Sequence, residues 1–381
     1  MPTVAITLSS PTDLQNAKYI NMLREHGFGI KVIDDDRFAR GNATEAEEIE
    51  LLNGVQAVIA AGERYSRSVI EALPELRVVA RLGVGFDRVD IPAATSNDLV
   101  VTITPNSNHE AVSEHAMSLM LATAKSIHVR DKNIREDRWI SSPSIPLRGQ
   151  TLGIIGLGRI GRDMAVRAGA FRMNILAVEP MVNVKFNQAN NIDIVEMDTL
   201  LENSDFVSLH CDLSEATQGF IDYAKLQLMK NSAILINTAR GGLIVEDDLI
   251  KALQTKEILG AGLDVFESEP CRSDHPFYDM ENVILSPHMA GTDHRSLEEM
   301  GLPVLDLNRS EGWLQVDFRT EDERSPGWFS WFSDAEKPVH THTVRIQQSA
   351  DAMSVTAEQQ DSYGGERSSA DLLTQLFEHL Y

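Results

Sequence analysis

Cysteine is scarce: Cys211 and Cys271 are the only two in 381 residues. A disulfide scaffold is thereby excluded, and no zinc-ligand spacing exists. A cytoplasmic, reducing compartment is the simplest reading. Positive charge is also short, with 34 Lys and Arg against 57 Asp and Glu, a formal net charge of −23. That balance disfavours a polyanionic partner, so no nucleic-acid partner is expected. Long hydrophobic runs are missing. None approaches a membrane span, and the N-terminal MPTVAITLSS lacks the charged-then-apolar pattern of a signal peptide, so no membrane partner is expected either. No repeat of solenoid length is visible. The hydrophobic share of 43% is that of a soluble globular protein, on a chain long enough for two domains and a large core.

What the chain does contain is strand–helix alternation. Short apolar runs at Val4–Leu8, Ile30–Ile33, Val55–Ala60, Arg77–Leu82 and Val100–Ile103 are separated by amphipathic stretches. The pattern predicts a parallel sheet with helices on its faces. A long helix is predicted from His109 to about Ile127, with Ala111, Val112, His115 and Leu119 on one stripe, and a second helical piece to about Trp139. Alternation then resumes from Thr151 to Leu285 as a second doubly wound sheet.

The second sheet opens on the most informative stretch, TLGIIGLGRIGRDMAVRAGAFRMNILAVEP, residues 151–180. An apolar strand leads into Gly156-Leu157-Gly158-Arg159-Ile160-Gly161, and a helix follows with Ile160, Met164, Ala168 and Phe171 on one face. In this setting Gly156 permits the turn, Gly158 allows a pyrophosphate near the backbone, and Gly161 lets helix and strand pack closely. The helix N-terminus offers unpaired N–H groups to a phosphate. Glu179 ends the next strand, where an acid is expected on the adenosine ribose. It favours NAD over NADP, because a carboxylate repels a 2′-phosphate and no arginine follows.

Three side chains follow strand ends of this sheet, where open α/β sheets place their ligands. Arg240 follows the strand Ala233–Asn237, Glu269 the strand ending at Val265, and His288 the strand Val283–Leu285. Arginine holds a carboxylate bidentately. Histidine exchanges a proton near neutral pH. A carboxylate on its other ring nitrogen fixes the tautomer and favours the imidazolium.

These segments resemble the D-isomer-specific 2-hydroxyacid dehydrogenase family, and most of all its phosphoglycerate dehydrogenase branch. The matching stretches are residues 81–90, Thr104-Pro105-Asn106, Leu152 to Gly161, Asn237 to Gly242, Gly262 to Pro270 and Ser286 to Gly291, in the family's order. The resemblance implies an α/β protein of two doubly wound parallel-sheet domains, a Rossmann NAD domain inserted into a flavodoxin-like substrate domain. Residues 1–104, with part of about 292–320, would form the substrate domain; 105–291 would bind NAD; 321–381 would be an atypical acidic tail. It further implies that Arg240, Glu269 and His288 are the catalytic set. Gly83, Val84, Gly85, Asn108 and Arg240 would meet the substrate. Gly156, Gly158, Arg159, Ile160, Gly161 and Glu179 would meet the cofactor, together with His210, Cys211, Thr238, Ala239, Asp264, Ala290 and Gly291. Members are usually homodimers. For Asn108 a second reading stays open, as N-cap of the following helix.

The sequence departs from the family in two places. Asp212 stands where a proline commonly follows the His210 segment, and Pro303 interrupts the helix that begins near Arg295. Beyond it lie Trp313, Trp328 and Trp331, then a polar stretch, His340 to Gly365, read as a loosely ordered linker, and a short amphipathic helix, Ala370–Leu380. Three functions remain: an NAD-dependent oxidoreductase of a small D-2-hydroxy acid, an NAD(H)-sensing corepressor-like binding protein, and an inactive relative. Within the first, 3-phosphoglycerate competes with glyoxylate or hydroxypyruvate, and Arg64 and Arg81 are candidates to meet a phosphate. Formate oxidation fits less well, because the family's formate enzymes carry glutamine where Glu269 sits.

Overall fold

The computed structural model describes residues 2–7, 18–301, 306–308, 313–321, 339–348 and 353–361. The first unit comprises residues up to Asn108 together with the segment from His294. Its strands are β1 (Thr3–Thr7), β2 (Gly29–Ile33), β3 (Ala57–Ala60), β4 (Val78–Arg81) and β5 (Val100–Thr102). They form an all-parallel sheet in the order β2-β1-β3-β4-β5, the flavodoxin-like arrangement. Between them run α1 (Lys18–Glu25), α2 (Asp36–Ala39), α3 (Glu45–Leu52), α4 (Arg67–Ala72) and α5 (Ile91–Ser96). Local chemistry sets their starts. Thr44 and Glu47 close a capping box on α3, Ser66 caps α4, and Asp90 caps α5 ahead of Pro92.

The second unit runs from His109 to Asp293. It opens with α6 (His109–Lys125) and α7 (Ile127–Arg135). The two helical pieces expected here are separated near the predicted point, where Ser126 takes a left-handed φ of 48°. α6 buries Ala116, Met117, Leu119 and Met120 in the core that Leu152, Ile154 and Met164 also enter. α7 buries no residue. Then come β6 (Thr151–Ile155), α8 (Arg159–Ala170), β7 (Asn174–Val178), α9 (Val184–Asn190), β8 (Ile192–Ile194), α10 (Met197–Asn203), β9 (Phe206–Leu209), α11 (Tyr223–Leu228), β10 (Ile234–Asn237), α12 (Glu246–Thr255), β11 (Gly260–Leu263) and β12 (Val283–Leu285). The parallel sheet is ordered β12-β11-β10-β9-β6-β7-β8, with the strand order reversing between β6 and β9. That is the dinucleotide-binding arrangement, and the reversal marks its ligand crevice. α9 and β8 escape the periodicity argument, being short. Phe171, predicted on the buried face of α8, is its C-cap and is 40% exposed. The helix ends one residue too early to turn it inward.

α13 (His294–Gly301) returns to the first unit, where Ser107 Oγ donates to Glu299 O at 3.3 Å. It stops two residues before Pro303. Beyond it, β13 (Asp306–Asn308), β14 (Trp313–Glu321), β15 (Val339–Gln348) and β16 (Met353–Asp361) pair antiparallel in that order. The expected linker at His340–Gly365 is corrected accordingly: most of it is strand. Polar composition masked the signal, because the threonines and valines of Val339–Ile346 are β-formers whatever their polarity. The expected helix Ala370–Leu380, together with Trp328 and Trp331, lies outside the described residues. Among the described residues no helix is long and apolar enough to cross a membrane.

Candidate active site

The glycine turn is built as its spacing requires. Gly156 has φ +93°, and a Cβ there would stand 2.7 Å from the backbone of His210 and Cys211 at the end of β9. The turn therefore seats itself in the crevice between β6 and β9. A Cβ on Gly161 would come within 2.1 Å of Gly156 O, whereas one on Gly158 would meet nothing within 4 Å. Gly158 and Arg159 are exposed, and Ile160 is half-buried. Gly158 is the N-cap of α8 and offers no side-chain cap, so the first N–H groups of a twelve-residue helix stay available to an anion. Glu179 sits at the end of β7. Its Oε2 accepts from Leu157 N at 2.6 Å and its Oε1 from Met181 N at 2.9 Å, so the acid also braces the turn.

Neighbouring strand ends add polar groups with spare capacity. The His210 ring accepts or donates at Nε2 with Ser208 Oγ at 2.9 Å, while its buried Nδ1 has no partner. Burial pushes its pKa down to about 4, so the ring is neutral. Thr238 Oγ1 is likewise buried and unpartnered. Cys211 is a buried small side chain whose thiol burial pushes up to about 12; it is no nucleophile. Asp212 lies in a loop fastened by Thr217 Oγ1 donating to Asp212 O at 2.8 Å, which does the tethering expected of a proline. An open glycine cradle, an uncapped helix end and two orphaned polar atoms fit a dinucleotide.

The three strand-end candidates follow adjacent strands. Asn237 of β10 pairs in register with Leu263 of β11, and Leu263 with Leu285 of β12. Arg240 is half-buried, and its Nη1 donates to Ala239 O at 2.7 Å. Asn237 holds this loop by donating to Arg240 O at 2.8 Å and accepting from Ala239 N at 3.0 Å. A Cβ on Gly241 would fall 2.0 Å from Phe266 carbonyl atoms, so the Arg240 loop lies against the loop that leads to Glu269. Glu269 Oε1 accepts from Phe266 N at 3.1 Å, and Glu269 Oε2 stands 2.8 Å from His288 Nδ1. The carboxylate thus fixes the ring and sets Nε2 as the reactive nitrogen. The His288 side chain is 45% exposed and that of Glu269 18%, so the carboxylate is sheltered while the imidazole stays accessible.

The backbone of His288 is left-handed, with φ +57°, a conformation costing a non-glycine residue ~1–3 kcal/mol. Asp264 holds it there. Fully buried, it accepts His288 N at its backbone oxygen (2.7 Å), Met289 N at Oδ1 (2.9 Å) and Ala290 N at Oδ2 (2.8 Å). Gly291 follows, half-buried. Cys271, two residues past Glu269, has its thiol raised to about 11 by burial and then by the charges of Glu246 and Glu269.

The remaining candidates belong to the first unit. Gly83 has φ +136° and is pinned by Thr104: Gly83 N donates to Thr104 Oγ1, and Thr104 N to Gly83 O, both at 2.9 Å. Val84 lies between Gly83 and Gly85. Gly85 O accepts from Arg81 Nε at 2.9 Å, and Arg81 Nη1 donates to Glu63 O at 3.2 Å. Arg81 is therefore buried and occupied in holding this loop, while Arg64 is exposed. Asn108 does not act as an N-cap: its Oδ1 is buried without any hydrogen-bond partner, and its Nδ2 borders Gly83. Sequence reasoning missed the bracing role of Arg81 and Thr104. It also saw in His115 only one member of a helical stripe.

Residues 117–290 match the family described as D-isomer specific 2-hydroxyacid dehydrogenase, NAD binding domain. The D-3-phosphoglycerate dehydrogenase of Archaeoglobus fulgidus is 33% identical over 298 residues, 77% of this chain and 55% of that protein. The glyoxylate reductase of Korarchaeum cryptofilum is 40% identical over 238 residues, 61% of this chain and 72% of that protein. A solved structure from Thermus thermophilus superposes with a TM-score of 0.70 at 30% identity, covering 79% of this chain and 94% of that one. The chain spans about half the length of the D-3-phosphoglycerate dehydrogenases it matches.

Proposed function

Because the chain belongs to the D-isomer-specific 2-hydroxyacid dehydrogenase family, we propose that it is an NAD-dependent oxidoreductase interconverting a small D-2-hydroxy acid and its 2-oxo acid. The observation that carries this reading is the 2.8 Å contact between His288 Nδ1 and Glu269 Oε2, on the same sheet edge as the glycine turn. NAD, when bound, supplies the acceptor or donor of the hydride. In the oxidising direction His288 Nε2 takes the hydroxyl proton, and Glu269 stabilises the imidazolium that results. In reduction the same proton is returned to the 2-oxo oxygen. Arg240 binds the carboxylate and the oxygen at C2. Val84 and Gly85 offer backbone N–H groups and Asn108 an unsatisfied amide oxygen for the substrate, while Gly83, whose N–H is held by Thr104, shapes the turn; the orphaned Asn108 Oδ1 supports this. Glu179, His210, Cys211, Thr238, Ala239, Ala290 and Gly291 line the cofactor with the glycine turn, while Asp264, fully buried, serves it only through the amides of Met289 and Ala290. Residues 1–104, with part of about 292–320, serve the substrate, and 105–291 the cofactor.

Among substrates, glyoxylate or hydroxypyruvate stands beside 3-phosphoglycerate: Arg81 is occupied within its own loop, which leaves the exposed Arg64 as the candidate to meet a phosphate. The reading is tested by following NADH consumption with glyoxylate, hydroxypyruvate, 3-phosphohydroxypyruvate and pyruvate. Turnover with at least one of the first three, and none with NADPH, is expected. NADH binding without turnover on any acid would leave the sensing role instead. We also assign a homodimer, supported by the exposed Ile127, Ile134, Trp139 and Ile140 of α7 and its continuation, and a reducing compartment, supported by two free cysteines.

A further inference from the structure

Asp264 is fully buried, and each of its carboxylate oxygens accepts from a backbone N–H, that of Met289 or Ala290. A buried carboxylate held by neutral donors alone is costly unless a compensating charge or strong donor lies close. The polar side chain that approaches it is His115. It projects from α6, and its Nε2 stands 3.5 Å from Asp264 Oδ1. That nitrogen is itself buried and makes no hydrogen bond. Oδ1, which accepts from the Met289 amide, is thus in close polar contact with His115 Nε2 at 3.5 Å, short of a hydrogen bond.

We propose that His115 is a positioning residue for His288, acting through Asp264. The chain of contacts is short. His115 fixes the carboxylate; the carboxylate fixes the amides of Met289 and Ala290; those amides, with His288 N on Asp264 O, hold His288 in its left-handed conformation. In that conformation Nδ1 reaches Glu269 at 2.8 Å. Without His115, Asp264 loses the side chain that faces it from α6, and the clamp on residues 288–290 loosens. Helix α6, which packs on β10, β11 and β12, thereby reports into the catalytic loop. The consequence for catalysis rests on the proposed role of His288, but the clamp itself does not.

The test compares His115→Leu, which removes the donor, with His115→Gln, which keeps an N–H at the end of a side chain of similar reach, in the full chain. Hydrogen exchange at the Met289 and Ala290 amides reads the clamp directly. The leucine variant is expected to exchange these amides at least about tenfold faster, with other α6 and β11 amides unchanged, and the glutamine variant to stay near wild type. In turnover, leucine is expected to lower kcat about tenfold, and glutamine to restore most of it. Unchanged exchange in the leucine variant, or glutamine as damaging as leucine, overturns the proposal. If leucine fails to fold, His115→Asn, too short to reach Asp264, takes its place under the same criteria. An inactive wild type would defeat the dehydrogenase reading alone, because the exchange measurement still decides the clamp.

Discussion

At the scale of single residues, the proposed reading gives the proton to His288 and its electrostatic support to Glu269, which stands 2.8 Å from Nδ1. His288→Ala is expected to lower kcat by about 10²–10⁴ while NADH affinity, followed by fluorescence, stays as in wild type. Glu269→Gln keeps a hydrogen bond to Nδ1 but removes the charge that favours the imidazolium, so its loss should be smaller and should grow in the oxidising direction. Away from the site, Glu48 of α3 is buried with Oε1 unpartnered. Burial, followed by the nearby charges of Glu63 and Glu45, pushes its carboxyl up to about 7. A folded-state pKa raised above the unfolded value of ~4.3 gives stability that is complete below that value and lost as pH rises through about 7. The thermal midpoint of Glu48→Gln should therefore change less than that of wild type between about pH 5 and pH 8.

At the scale of elements, the glycine turn separates two roles that a motif alone merges. A Cβ at position 158 meets open space, whereas at 161 it collides with Gly156 O at 2.1 Å. Gly158→Ala should fold with an unchanged thermal midpoint and bind NADH roughly tenfold more weakly, about 1.4 kcal/mol. Gly161→Ala should lower the midpoint itself, because α8 must lift from β6. Equal loss of stability in both variants would count against the cradle at Gly158. Most elements were legible in advance. The amphipathic stretches between the first apolar runs are helices such as Glu45–Leu52 and Ile91–Ser96, each beginning at a capping side chain. The short α9 and β8, and the strands within the polar tail, were not, because three to ten residues without a strong hydrophobic period leave no local signature.

At the scale of the whole molecule, α7 and the residues after it stand out. Ile127, Ile134, Trp139 and Ile140 are 54%, 52%, 89% and 58% exposed, and no residue of α7 is fully buried. A chain of net charge −23 has polar residues in plenty, so the four large apolar side chains gathered in this segment are the surface on which the proposed homodimer is tested. Trp139→Glu combined with Ile140→Glu is expected to convert a dimer into a monomer in sedimentation, with the far-UV circular dichroism unchanged. Wild-type protein that sediments as a monomer would remove the assignment.

Sequence alone determined the kinds of element and the candidate chemistry. Period-two and period-3.6 patterns are local, the glycines of the turn are dictated by backbone geometry within six residues, and Arg240, Glu269 and His288 each follow a strand end by simple counting. Tertiary structure alone decided which strands are neighbours, and therefore which side chains meet. Glu269 and His288 come together across nineteen residues because β11 and β12 are paired, and Glu179 braces Leu157 because β7 lies beside β6. The same holds for Asp264, whose carboxylate serves a loop 25 residues away, and for Asn108, whose amide oxygen is unsatisfied rather than used as a cap. Hydrogen-bond partners of this kind are chosen by the packing of the whole sheet, and no window of sequence contains both members.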